Sequence, residues 1–225
     1  MRYFNNSYFQ DSINKFLEEK HLIARTIESY NPNKVVTYAF NNEETKEIIK
    51  QVQKNRHSVY QADLEEAIKY ILFHEIPRYN NISEYSLSAL KIFLNVLDKY
   101  NPFENNGQKF INKVLQYVNG TNNFINGVDF EENIRKLSID FYPIFSSNRY
   151  MGCISSTPNL RGFTCSLWKL FHYFSIRSME NENSDDNLLV LRAIYGYVKY
   201  FFGCTDCAEH FQVRKHKSYY IIRSH

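Results

Sequence analysis

Apolar residues recur every three to four positions along most of the chain after Ser58, a spacing that is typical of amphipathic α-helices. In the first run Leu64, Ile68 and Ile71 share one face, and Pro77 ends the run. The helices predicted in this way are the run from Ser58 to Pro77, Ser86–Tyr100, Gly107–Val118 and a weaker Phe130–Leu137. Residues 58–140 are therefore predicted to form a helix-rich region that is built for packing.

The last third of the chain begins with a loop-like stretch, residues 146–165, which Ser, Asn, Gly and Pro punctuate. Two helices are predicted after it, Ser166–Met179, with Ser166 as a candidate N-cap, and Asn187–Phe202. Gly203 then stands where a helix commonly ends in glycine, and Cys204 is predicted to open a further helix.

The first 57 residues carry weaker patterns. They predict a helix over Ser12–Glu28, a strand over the β-branched and aromatic run Val35–Phe40, and a charged helix over Glu43–Asn55. These segments carry little signal about function, and in residues 58–140 no catalytic residues are evident.

Composition and charge narrow the class of protein. The chain has 225 residues, 44% of them hydrophobic and 23% charged, which suits a globular protein of one or two domains. Its net charge of +3 is too small to indicate a nucleic-acid partner. No run approaches the roughly 18 apolar residues of a membrane helix. The first residues lack the apolar stretch of a secretory signal peptide, so we expect either a cytosolic chain or a piece of a longer one.

Four cysteines, all after residue 152, supply the candidate chemistry. Four cysteines allow three pairings; the C-x-x-C spacing favours Cys204–Cys207, which leaves Cys153–Cys165. At the start of a helix the positive end of the dipole stabilises a thiolate, as a dithiol/disulfide centre requires. An all-cysteine zinc site is the alternative, although the spacing of Cys153 and Cys165 is unlike a second short zinc knuckle.

Two pairs of side chains predict a pocket beside this centre. Trp168 and His172 are four residues apart on one predicted helix, and Cys207 and His210 are three apart on the next. If the two helices are antiparallel neighbours, an indole, two imidazoles and a dithiol line one pocket, which suits a flavin. Against this, a tryptophan on an amphipathic helix more often belongs to the core, and a single histidine is more often a satisfied polar residue.

Two long motifs resemble a known family. The segments RGFTCSLWKLFH (Arg161–His172) and IYGYVKYFFGCTDCAEHF (Ile194–Phe211) are similar to the Erv/ALR flavin domain of the quiescin sulfhydryl oxidases. The run VYQADLE (Val59–Glu65) and the helices after it resemble the region that joins that domain to thioredoxin domains. The resemblance covers about residues 58–211. It implies a mainly α fold, in which a helix-rich region is followed by a partial Erv/ALR-type four-helix bundle.

The resemblance also implies an activity and assigns residues to it. The activity is an FAD-dependent thiol oxidation that forms disulfides in thiol-containing proteins and reduces O2 to hydrogen peroxide. Cys204 and Cys207 would be the redox pair, with Cys207 as the charge-transfer thiolate nearest the isoalloxazine and Cys204 exchanging with the incoming thiol. Cys153–Cys165 would be a structural disulfide, and no metal is expected. The residues that would contact FAD are Arg161, Trp168, His172, Asp206 and His210.

The same resemblance predicts how the chain is organised. Residues 1–57 would be a linker or the remnant of a preceding thioredoxin-like domain, 58–140 the helix-rich region, and 141–225 an Erv/ALR domain. That domain is expected to be incomplete at its C-terminus, because no H-N-x-V-N element follows Phe211. The implied partners are thiol proteins, O2 and the thioredoxin-like domains of a parent chain, and the implied location is the secretory pathway, in the Golgi or secreted. Two alternatives stay open, namely an inactive helical interaction module that cannot hold FAD and a zinc-stabilised helical domain.

Overall fold

Helices make up most of the computed structural model, which describes residues 43–54, 58–146, 148–154, 162–180 and 188–212. Their bounds are Glu43–Lys54 (α1), Gln61–Tyr70 (α2), Glu84–Tyr100 (α3), Asn105–Asn119 (α4), Gly127–Asp140 (α5), Gly162–Met179 (α6), Leu189–Tyr200 (α7) and residues 205–212 (α8). The mainly α fold class is thus confirmed. The predicted elements Ser12–Glu28 and Val35–Phe40 lie outside the described residues.

The helix that begins at Gln61 continues beyond Tyr70 with a changed pitch. A π-helical turn, Ile71–Glu75, and a 3-10 turn, Ile76–Arg78, follow α2 directly. Pro77 lies in the first turn of the 3-10 segment, where a residue without an N–H is tolerated. We call residues 61–78 extended α2. It buries an apolar stripe comprising Leu64, Ala67, Ile68, Ile71, Leu72 and Ile76.

A two-stranded antiparallel ribbon fixes the connections around α3. It pairs Ile82–Ser83 (β1) with Phe124–Ile125 (β2), and Ile82 lies opposite Ile125. Ser83 then caps α3 through a capping box with Ser86, whose Oγ accepts the Ser83 N–H at 3.0 Å.

Two pairs of helices hold the predicted helix-rich region against the last third of the chain. The first pair is α3 with α7, and the second is α2 with α6. Gly196 of α7 permits the first approach, because a Cβ on it would lie 2.9 Å from the Cβ of Ala89. All described residues belong to one compact unit, Phe40–His225. The division at residue 140 stays a prediction.

Two details of the predicted helix boundaries are wrong. Helix α6 begins at Gly162 rather than Ser166, so Cys165 lies in a helix and not in a loop. Ser166 is buried inside the helix, where its hydroxyl donates to the carbonyl of Phe163 at 2.8 Å instead of capping. Helix α7 ends at Tyr200 with Phe201 as its C-cap, and no described glycine, Gly203 included, has a positive φ. Among the described residues, no helix combines the length and apolar character that crossing a membrane requires.

Candidate active site

The Cys204–Cys207 disulfide lies at the beginning of α8, with its Cα atoms 5.2 Å apart. The Cys204 carbonyl accepts the Ala208 N–H at 2.9 Å, which makes Cys204 the N-cap of the helix. The Cys207 N–H also donates to Cys204 Sγ at 3.3 Å. The prediction that Cys204 opens a helix is therefore confirmed, and both sulfurs belong to its first turn, where the helix dipole favours a thiolate.

The two cysteines differ in how far solvent reaches them. Cys207 is buried, with 5% of its surface exposed, whereas Cys204 is only half-buried. A thiolate that approaches from solvent therefore meets Cys204 more readily than Cys207.

Aromatic residues anchor the chain immediately before the disulfide. The Phe201 ring is buried 5.5 Å from the Tyr79 ring, edge to face, and 6.2 Å from the Tyr197 ring. The Phe202 ring lies 6.5 Å from that of Phe163 in α6. These contacts fix residues 201 and 202 against α6, α7 and Tyr79, the residue that follows extended α2.

A buried carboxylate holds the next residue, Gly203. Its N–H donates to Glu75 Oε2 at 2.8 Å, and Arg78 Nη1 donates to Glu75 Oε1, also at 2.8 Å. Burial raises the pKa of Glu75 above its ordinary value, while the Gly203 hydrogen bond, Arg78 and His74 act against that rise. Arg78 lies against Gly203 so closely that a Cβ on the glycine would collide with its guanidinium.

The second disulfide, Cys153–Cys165, joins the segment before α6 to the first turn of that helix, with Cα atoms 5.6 Å apart. Asp63 of α2 holds the same segment: its Oδ1 accepts the N–H of Met151 at 2.7 Å and that of Cys153 at 3.2 Å. Its Oδ2 pairs with Lys169 of α6 at 3.0 Å. Both disulfides are those that the spacing favoured, and with all four sulfurs paired the arrangement differs from the zinc site considered above.

The predicted cofactor residues lie on two helices that meet. The ring centroid of Trp168 in α6 lies 5.9 Å from that of Phe211 in α8, so the two helices are neighbours. His172 follows Trp168 by one turn and is half-buried, while Asp206 and His210 are exposed on α8. Arg161 lies outside the described residues, and the pocket shared by these side chains stays a prediction.

Sequence reasoning missed three carboxylates of extended α2 that accept hydrogen bonds from the last third of the chain. Asp63 and Glu75 are described above, and Glu65 Oε2 accepts both the N–H and the hydroxyl of Ser146, at 2.6 and 2.8 Å. All three are buried, at 3% exposure or less. Glu75 could have been found, because it falls on the apolar stripe at helical spacing, where a carboxylate needs a partner.

Comparisons with known proteins agree on one family. A model described as flavin adenine dinucleotide (FAD)-dependent sulfhydryl oxidase matches residues 55–156, and the model of the Erv1 / Alr family matches residues 165–224. Sulfhydryl oxidase 1 of Cavia porcellus is 34% identical over 186 residues, which cover 76% of this chain and 28% of the relative. Sulfhydryl oxidase 1 of Homo sapiens is 35% identical over 175 residues, which cover 70% of this chain and 22% of the relative.

A solved structure, the sulfhydryl oxidase fragment of human QSOX1, is similar with a TM-score of 0.66 and 36% sequence identity. The match covers 73% of this chain and 67% of that fragment. The chain spans about a quarter of the length of the curated relatives it matches.

Proposed function

The chain belongs to the quiescin sulfhydryl oxidase family, and from that premise we propose that it is an FAD-dependent thiol oxidase which forms disulfides in protein substrates. The observation that carries the proposal is the Cys204–Cys207 disulfide in the first turn of α8, with one cysteine accessible and the other buried.

The unequal burial supports different roles for the two sulfurs. A substrate thiolate attacks Cys204 Sγ, the Cys204–Cys207 bond breaks, and a mixed disulfide forms while Cys207 leaves as a thiolate. A second substrate thiolate then attacks the substrate sulfur of the mixed disulfide, which releases the oxidised substrate and leaves Cys204 reduced. The first turn of α8 stabilises the leaving thiolate of Cys207 and lowers the energy of this exchange.

The residues around the pair fit FAD by their chemistry. Trp168 offers an aromatic ring that packs against the helix carrying the disulfide, and His172, Asp206 and His210 offer polar groups on the two neighbouring helices. Together with Arg161 they would hold the cofactor. Bound FAD would supply two-electron oxidation of the reduced pair and transfer of those electrons to O2, giving hydrogen peroxide.

The proposed setting follows from the family and the disulfides. An oxidising compartment, the secretory pathway, suits a chain with two disulfides among its described residues. Thiol proteins and thioredoxin-like domains are the proposed partners, because their exposed thiolates suit attack on Cys204.

The test begins with flavin binding. Purified chain is mixed with FAD, passed through a desalting column and examined for flavin absorbance, after which oxygen consumption is measured with dithiothreitol. We expect a yellow protein that turns over, and Cys207→Ser is expected to lose nearly all turnover. A colourless, inactive chain would support the alternative of an inactive helical module, and unchanged turnover in Cys207→Ser would refute the role of that cysteine.

A double variant, Cys153→Ser/Cys165→Ser, serves as the matched control. It removes the disulfide proposed to be structural. It is expected to unfold at a lower temperature, because cross-links stabilise by limiting the unfolded chain, yet to keep turnover while folded.

A further inference from the structure

We propose that Glu75 is a positioning residue for the Cys204–Cys207 pair, and that it sets how easily this disulfide is reduced. Glu75 lies 129 residues before Cys204 in the chain, in the region predicted to be a packing module. The inference deepens the proposed oxidase function of the same site.

Glu75 contacts Gly203 directly, and both of its carboxylate oxygens accept hydrogen bonds. Glu75 is 3% exposed, and each carboxylate oxygen has one partner: Gly203 N–H on Oε2 and Arg78 Nη1 on Oε1. The N–H that Glu75 accepts belongs to Gly203, the residue immediately before Cys204. A hydrogen bond of 2.8 Å from Gly203 to a buried carboxylate restricts the backbone at Gly203.

The restriction at Gly203 passes to the disulfide through the cap of α8. Cys204 is held by the Ala208 N–H on its carbonyl and by the Cys207 N–H on its sulfur. With Phe202 and Gly203 fixed on one side and α8 on the other, Cys204 Sγ stays beside Cys207. Two thiols that are held close re-form their disulfide readily, so the oxidised form is favoured.

Arg78 favours the charged form of Glu75, against the burial that raises the pKa of this carboxyl. Its guanidinium lies in the space that a Cβ at position 203 would enter, so a side chain there would have to displace the end of Arg78. Glu75 therefore supplies the hydrogen-bond acceptor, and Arg78 covers the surface beside Gly203. Replacement of Glu75 by an apolar residue of similar length removes the acceptor with little change in volume.

The experiment measures the redox equilibrium of the full chain with glutathione, without added FAD. Two glutathione thiols give two electrons and two protons to the disulfide, forming the dithiol and glutathione disulfide. After quenching with an alkylating reagent, mass spectrometry of the peptides reads Cys204–Cys207 and Cys153–Cys165 separately. This readout does not depend on oxidase turnover, so failure of the proposed function leaves it interpretable.

The variants distinguish the effect of losing the hydrogen-bond acceptor from the effect of losing the negative charge. Glu75→Met, which has no acceptor, is expected to make the Cys204–Cys207 disulfide about tenfold easier to reduce, the shift that corresponds to roughly one hydrogen bond to a charged group made in the oxidised form and lost in the reduced form. That change corresponds to about 30 mV in reduction potential. Glu75→Gln keeps an acceptor oxygen and is expected to shift the equilibrium less than Glu75→Met. If Glu75→Met does not fold, Glu75→Met/Arg78→Met also removes the guanidinium that lost its counter-ion and carries the same expectation.

Two controls define the result that overturns the proposal. Glu180→Gln breaks the exposed Arg177–Glu180 pair, which has the same spacing of three residues and the same 2.8 Å distance, and should shift neither disulfide. Cys153–Cys165 in the Glu75 variants is the internal reference and should also stay unchanged. An unchanged Cys204–Cys207 equilibrium in the acceptor-free variant, or an equal shift of both disulfides, overturns a local positioning role.

Discussion

Removal of the Asp63 carboxylate tests how extended α2 holds the disulfide segment before α6. Asp63 has no exposed surface and accepts the N–H groups of Met151 and Cys153 while it pairs with Lys169. Asp63→Ala leaves two backbone donors without their acceptor and a partly buried ammonium without its counter-ion.

The size of the effect follows from these losses. Breaking a buried ion pair by removing one partner costs about 3–5 kcal/mol. Lys169 is 24% exposed, so water can replace part of what it loses. The unmet N–H groups add to the cost. We therefore expect a loss of about 3 kcal/mol in the free energy of unfolding, which lowers the melting temperature by roughly 10 °C in a chain of this size.

Urea denaturation under non-reducing conditions, followed by circular dichroism, measures this loss. Asp63→Asn keeps an acceptor for both N–H groups and should lose less than Asp63→Ala. Asp63→Ala/Lys169→Met should recover part of the loss, because no ammonium is left without a partner. Glu131→Ala is the control, since it breaks the more exposed pair with Arg135 and should cost no more than about 1 kcal/mol. If Asp63→Ala costs no more than this control, the carboxylate does not hold the segment.

Three further variants test other parts of the fold by the same denaturation measurement. The Tyr197 hydroxyl is buried with no hydrogen-bond partner among the described residues, so Tyr197→Phe should stabilise the chain by about 1 kcal/mol; a loss of stability would contradict this. Gly196→Val should cost about 1–3 kcal/mol by overpacking against Ala89, and adding Ala89→Gly should restore part of it; no restoration would place the clash elsewhere. Burial raises the folded pKa of Glu75 above 4.5, so the carboxyl stabilises the fold most below that pH and less as pH rises through the folded pKa. The stability of the wild type minus that of Glu75→Gln should therefore fall between pH 4.5 and neutrality, and a rise would reverse the sign of the inferred shift.

The helices could be predicted because each one buries a stripe that local spacing reveals. The third helix shows this well: Ser86–Tyr100 was predicted from its leucines and Phe93, and α3 spans Glu84–Tyr100. The two residues gained at its start come from the capping box of Ser83, a local feature that apolar spacing does not register.

The start of α6 could not be predicted from spacing, because distant contacts determine it. Phe163 lies before the predicted cap Ser166, yet its ring packs 4.2 Å from that of Tyr70 in α2. Cys165 is bonded to Cys153. These contacts stabilise one more helical turn, and in that turn Ser166 becomes an interior residue whose hydroxyl bonds back to the helix.

The part of the candidate site that lies on α8 could be predicted from the sequence, but its contacts with extended α2 could not. Cys204 and Cys207 carry a local motif, and the helix that they open is also local. The acceptors of their neighbouring segments lie on a helix more than a hundred residues earlier, and no local pattern tells a paired glutamate from a solvated one. At Glu75 the only hint in the sequence is position, because a carboxylate falls on an otherwise apolar stripe.

Extended α2 therefore does more than cover an apolar face of the last third of the chain. Its carboxylates at 63, 65 and 75 accept backbone N–H groups from Ser146, Met151, Cys153 and Gly203, so one helix holds the segments that lead into both disulfides. A piece that began at residue 141 would keep all four cysteines but leave these four donors without their acceptors. Because these carboxylates are the acceptors for the segments beside the cysteines, we expect the geometry of both disulfides to depend on a helix that contributes none of their sulfurs.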